Sequence, residues 1–128
     1  MPIDFTIDHG RRLVTAKAHG TLTGHDVFGY QRDVWSRSDV LGYNELLDMR
    51  DVVQIDLPSV DNMRALAELS ASMDTPATSS KFAIIATTDE AFGLSRMYET
   101  YRHLEGKSTK QVRVFRSLTE AYAYLEVA

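Results

Sequence analysis

Ile3, Phe5 and Ile7 alternate with Asp4 and Thr6, the two-residue period of a strand that buries one face. After Asp8-His9-Gly10-Arg11 the stretch Leu13 to Ala18 is strand-like again, with Thr15 and Lys17 as polar alternates. Two such runs joined by a short polar turn make an antiparallel hairpin at a sheet edge, and Gly10 is expected to take the positive φ of that turn. The period then changes. Thr23, followed by Asp26, opens a helix to about Ser36 whose Val27, Phe28, Gln31, Val34 and Trp35 form one stripe, with Trp35 as its core anchor.

Asn44 to Met49 is the third strand, bounded by the Leu41-Gly42 turn and ending at a polar Arg50-Asp51 exit. Pro58 disfavours helix at Leu57, so Ser59 caps a second helix that carries Val60, Met63, Leu66, Ala67, Ser70 and Met73 on one side. Asp74 to Ser80 has no periodicity and reads as a surface connection. Lys81 to Thr87 follows. Its run Phe82 to Ala86 is apolar toward both faces, as a strand in the middle of a sheet requires. Thr88, with Asp89 and Glu90, begins a third helix that continues to about Glu105 and stops at Gly106. Gln111 to Phe115 is the last strand. Ser117 and Glu120 form a capping box ahead of a closing helix with Ala121, Tyr122, Tyr124, Leu125 and Val127.

The order is therefore β-β-α-β-α-β-α-β-α. Strands separated by helices join in parallel, whereas a turn-linked pair is antiparallel. The chain is read as an α/β protein with a mixed five-stranded sheet, antiparallel in its first hairpin and mainly parallel beyond it, covered by four helices.

At 128 residues, with 44% hydrophobic and 25% charged positions, the composition is that of one globular domain spanning 1–128. The absence of cysteine excludes disulfides, thiolate nucleophiles and cysteine-held zinc or iron–sulfur centres. A membrane-spanning helix needs about 20 consecutive apolar residues, and the run around the buried strand extends only from Phe82 to Ala86. Met1 to Asp8 has neither a basic patch nor a long apolar stretch, so no export signal is read there and the expected location is cytoplasmic. A formal charge of −4 without a dense basic stripe predicts no nucleic-acid partner.

Candidate chemistry is sparse. Gly106-Lys107-Ser108 imitates the tail of a phosphate loop, but Arg102 stands where the motif needs glycine, and the segment follows a helix and precedes a strand, the reverse of the required context. His9, His19, His25 and His103 lack the i, i+4 spacing of a helical metal pair, so no metal site is expected. No Gly-x-Ser-x-Gly elbow is present, and no catalytic residue or cofactor is assigned. Glu45, Asp48, Asp51, Asp56 and Asp61 gather around the third strand's exit with Arg50 among them. Strand ends are where open α/β sheets place ligands, although a solvated loop with a local Asp48–Arg50 pair accounts for the same residues.

The run Phe92-Gly93-Leu94-Ser95-Arg96-Met97-Tyr98-Glu99 comes directly after the Ala83 to Ala86 strand, and the chain closes with Val112-Arg113-Val114-Phe115 and a short Ala/Tyr/Leu helix. In this run and in its order of elements the whole chain resembles the SpoIIAA-like family, which is related to STAS domains and SEC14-type lipid-binding folds. The resemblance implies a small, self-associating α/β domain that binds an apolar ligand or a membrane surface, with no catalysis. Phe92, Met97, Tyr98 and Tyr101, with Met63, Leu66 and Met73 from the preceding helix, then line a cleft in which Arg96 holds an acidic head group, with Asp48 and Arg50 at the strand exit. At helical spacing the same apolar residues also suit a core.

Classical STAS antagonists carry a phosphorylatable serine just after a central strand. The corresponding exit here, Leu47 to Asp51, has no hydroxyl residue before Ser59, which serves either as an acceptor or as a plain helix cap. The expectation is a non-enzymatic binding module for a small apolar or amphipathic ligand, a lipid or a membrane surface. The alternative is a STAS-type signalling module acting through a partner or a homodimer, and an enzyme of unknown reaction comes third.

Overall fold

The computed structural model describes residues 2–56, 60–74, 79–105 and 109–126. Among them, Ile3–Asp8 (β1) turns back on Leu13–Thr23 (β2), which leads into helix Gly24–Trp35 (α1), a single 3-10 turn at Ser38–Val40 and strand Asn44–Asp56 (β3). Helix Val60–Ser72 (α2), strand Ser80–Ile85 (β4), helix Asp89–Leu104 (α3), strand Lys110–Phe115 (β5) and helix Leu118–Leu125 (α4) complete the expected order. Ser59, the segment 75–78, the side chain of Val60, Gly106-Lys107-Ser108 and Val127 lie outside the described residues.

The sheet runs β1-β2-β3-β4-β5, with β1–β2 antiparallel and every later pairing parallel. Because this spatial order follows the chain without reversing, the sheet contains no switch point of the kind that opens a ligand crevice at its strand ends. The sealing of one face therefore matters more than the edge. Successive strand residues point to opposite sides, and two layers result. Ala16, Met49, Phe82, Ile84 and Val112 face the helices: α2 and α3 contribute Met63, Leu66, Ala67, Ala91 and Tyr98 to the same cluster, and Val27 and Phe28 of α1 pack against it. Leu46, Ala83 and Ile85 face the other way and pack with Ala121 and Leu125 of α4.

Local chemistry sets the helix starts. Thr23 Oγ1 accepts from the Asp26 N–H while the Asp26 carboxylate accepts from the Thr23 N–H, a reciprocal cap. Thr88 caps α3 through the Ala91 N–H, and Ser117 caps α4 through the Glu120 N–H.

Three expectations are corrected. The hairpin turn does not use Gly10 for its left-handed residue: Arg12 takes φ 53°, and Asp8 Oδ1 accepts from the Arg11 N–H to close the loop. The second and third strands do not stop at Ala18 and Met49 but continue to Thr23 and Asp56, held by pairs such as Leu22 with Ile55. β4 pairs with β3 only from Glu45 to Asp48, so the extensions form a two-stranded ribbon beyond the main sheet. Register shifts between Lys17 and His19 and between Gly20 and Thr21, with Gly20 at φ 68°, break the ribbon's regularity at its base. Finally, β4 is flanked on both sides as expected, yet the middle strand of the five is β3.

Candidate functional site

Between the sheet and the three helices on its front face lies a cavity of ≈ 70 Å³. Leu47 and Met49 of β3, Phe82 and Ile84 of β4, Met63 and Leu66 of α2, and Leu94 and Tyr98 of α3 supply much of its wall. Leu22 and Ile55, the paired residues of the overhanging ribbon, close one end. The space has a sequence origin. α3 buries Ala91, Ser95, Tyr98 and Arg102 at helical spacing, and Ser95, like Ser70 on α2, puts a small side chain where a leucine would fill the gap.

Polar residues meet at the other end, and they are engaged with one another. Lys110 Nζ donates to Glu45 Oε1 at 3.1 Å, with the two side chains 6% and 2% exposed. The Tyr30 hydroxyl donates to Glu45 Oε2 at 2.8 Å and accepts from Trp35 Nε1 at 3.2 Å. The Lys110 ammonium also sits 3.3 Å from the centre of the Trp35 ring. A second buried pair joins Arg102 to Asp74 at 2.6 Å, and the Arg102 guanidinium donates to the Tyr98 hydroxyl. Ser70 Oγ donates to Gln31 Oε1 at 3.0 Å, and Ser95 Oγ to Met49 Sδ at 3.7 Å.

Burial sets the ionisation of these groups. Desolvation, reinforced by the Glu45 carboxylate, holds the Tyr30 phenol well above its ordinary range. Burial also raises Tyr98, against the pull of Arg102. For Lys110, desolvation lowers the pKa, and the attraction of Glu45 offsets only part of that. Among the described residues, the two buried side-chain atoms without a partner are Glu99 Oε1 and Arg102 Nε, and neither residue is in the cavity wall.

Of the sequence-selected ligand residues, Met63, Leu66 and Tyr98 reach the cavity. Phe92 and Met97 pack against the same core without lining it. Arg96 is exposed on α3. Asp48 and Arg50 are not with the others: they share the opposite face of β3 from Leu47 and Met49, where Arg50 Nη2 grips Asp48 Oδ2 at 2.7 Å. Desolvation works to raise the Asp48 carboxyl, but the hydrogen bonds from Arg50 win and hold it below the usual range.

The Glu45–Lys110 and Asp74–Arg102 pairs were not foreseen. The stripe Ala91, Ser95, Tyr98, Arg102 was a usable signal, because it puts a charge in line with buried positions.

A second hollow, of ≈ 380 Å³, lies at the C-terminal ends of β2 and β3 and is lined by Thr23, Gly24, His25, Phe28, Asp56 and Asn62. It shares no lining residue with the cavity. Leu22, Val27, Ile55 and Met63 of the cavity wall are the chain neighbours of Thr23, Phe28, Asp56 and Asn62 here. Among the described residues no group of three or more His, Cys, Asp or Glu side chains is placed to hold a metal ion, and no helix is long and apolar enough to cross a membrane.

No family model matches the chain, and no curated protein does. Among solved structures it is similar to an uncharacterized protein of the DUF3478 family with a SpoIIAA-like fold from Shewanella loihica PV-4, at 15% identity and a TM-score of 0.60, over 96% of this chain and 93% of that one. The fold expected from the Phe92 to Glu99 run is thus the fold observed.

Proposed function

We propose that this SpoIIAA-like domain is a non-enzymatic binding module that takes a small apolar or amphipathic ligand between its sheet and α1, α2 and α3. The observation that carries this reading is the apolar cavity itself, set in a layer that is otherwise closely filled. Packed interiors hold few voids larger than a water molecule. Met49 and Met63 in its wall have the adaptable side chains that follow an irregular guest. The neighbouring titratable groups support the non-enzymatic part of the reading: Glu45, Lys110, Asp74 and Arg102 are bound to one another.

Size narrows the guest. At ≈ 70 Å³ the cavity is about half the ~150 Å³ void that admits benzene in another protein. A short alkyl group enters with little adjustment, whereas a full lipid chain requires the ribbon or α2 to move. Binding of propane under gas pressure is the test. A ligand that binds only the folded state stabilises it by an amount that grows with ligand concentration relative to its Kd, so propane should raise the unfolding temperature of the wild type and leave Ser95→Leu and Leu66→Phe, which fill the space, unchanged. Equal shifts in all three proteins, or no shift in the wild type, would count against the cavity as the binding site.

The fold also supports a second reading, a STAS-type module working through a partner protein or a homodimer in the cytoplasm. Copurification of a regulator with phosphorylation at Ser59, and an unresponsive cavity, would put that reading first.

A further inference from the structure

We infer that two copies of the chain meet through the overhanging ribbon, where Arg50 to Asp56 of β3 runs antiparallel to the same stretch of a second copy about a two-fold axis at Val53. The inference does not rest on the cavity, and it gives the homodimer of the second reading a surface. β4 pairs with β3 only from Glu45 to Asp48, so among the described residues no strand lies beside β3 on that side beyond Asp48. Arg50, Asp51, Val53, Gln54 and Asp56 are exposed there. Val53, at 87%, is the most exposed large hydrophobic side chain among the described residues. An uncovered strand edge is a template for another strand.

The charge pattern selects the occupant. A two-fold axis at Val53 sets Arg50 opposite Asp56 of the partner subunit, and Asp56 opposite the partner's Arg50, because each stands three residues from the centre. Opposite charges directly across an antiparallel pair attract, and like charges repel. Asp48 grips Arg50 through Nε and Nη2, which fixes the guanidinium and leaves Nη1 outside that grip. Charges and bulges such as those along the ribbon keep an edge from accepting arbitrary strands, and this arrangement of charges matches a second copy. The outer strands of the sheet are less suited. The Tyr124 hydroxyl donates to the Gln111 carbonyl of β5, and β1 carries Asp4 and Asp8 with no basic residue to oppose them. One strand pairing is smaller than the ~800 Å² per partner of a standard interface, so the dimer is a weak one.

The chain has no cysteine, so a single introduced thiol reports on the axis. Directly opposed residues of antiparallel strands have Cα atoms about 4.5 to 5.5 Å apart, within disulfide reach. Under mild oxidation Val53→Cys should therefore form a linked dimer roughly tenfold faster than Thr21→Cys, which is also exposed but lies one strand back from the edge. Adding Asp56→Lys, which puts a cation opposite each Arg50, should slow the link at position 53 by about tenfold. Sedimentation of the unsubstituted protein should show dimer emerging as the concentration approaches ~1 mM. Equal rates at positions 21 and 53, a rate at 53 indifferent to Asp56→Lys, or a purely monomeric protein up to that concentration would overturn the pairing. Propane binding reads the cavity separately, so failure of either inference leaves the other standing.

Discussion

Lys110 Nζ lies 3.1 Å from Glu45 Oε1, joining the first residue of β5 to the second residue of β3 across the strand between them. Phe82 of β4 stands in register with Glu45, and its ring centre is 5.9 Å from the same ammonium. A buried ion pair of this kind stabilises little in net terms, because desolvation of both charges opposes their attraction. Removing one member is another matter. Lys110→Met leaves a carboxylate inside with only Tyr30 as a donor and should cost about 3 to 5 kcal/mol in urea unfolding. The double variant Glu45→Gln/Lys110→Met, which keeps an acceptor for Tyr30, should regain more than half of the loss. A single-variant cost below about 1 kcal/mol would mean the pair is not buried as described.

The alkaline limb of stability follows from the same cluster. Tyr30 and Tyr98 have pKa values raised above the ordinary 10.0, so above that pH the folded protein keeps protons that the unfolded chain releases. Their contribution is intact below pH 10.0 and is lost as the pH climbs through the folded values. Lys110 works in the opposite sense: its lowered pKa means the unfolded chain binds more protons as the pH approaches 10.5, and this group's penalty is relieved there. In an absorbance titration, Tyr30→Phe should remove a late phenolate step that in the wild type coincides with loss of the native circular dichroism. A wild type that ionises all its tyrosines while still folded would contradict this.

β4 carries the packing of both layers, since Ile84 is buried toward the helices over the cavity and Ile85 toward α4. Ile84→Ala and Ile85→Ala should each cost about 2 to 5 kcal/mol in urea unfolding. A change below about 1 kcal/mol at either position would show that its layer is not closed.

Gly20 isolates a backbone effect. A Cβ there would meet open space, but its φ of 68° is one that L side chains rarely adopt. Gly20→Ala should destabilise by about 1 to 2 kcal/mol, and Gly20→Asn, whose side chain tolerates that region, by less. Equal stability of all three proteins in thermal melts would show that the ribbon does not need the bend.

Much of this fold could be read locally. Thr23, Thr88 and Ser117 announce their helices because a cap is a contact within four residues. Phe82 to Ala86 announces an interior strand because both its faces are apolar. The ribbon was hidden for the corresponding reason. Its residues, including Arg50, Asp51 and Val53 at 87% exposure, lie beyond β4 and lack the alternation that marks a strand with one buried face. The cavity was half visible. Met63, Leu66 and Tyr98 were identified from helical spacing, but the strand residues that complete the wall depend on which face of β3 turns forward, and that separates Met49 from Asp48. Glu45 and Lys110 are 65 positions apart, and no local pattern says that they meet.

Diffraction from a crystal held under xenon gas tests the binding cavity most directly, because xenon enters apolar voids without needing a head group. A xenon peak enclosed by Met49, Met63, Leu66 and Ile84, absent from Ser95→Leu, is the predicted result. An unoccupied and fully closed interior at that position, with xenon bound elsewhere or not at all, would contradict it.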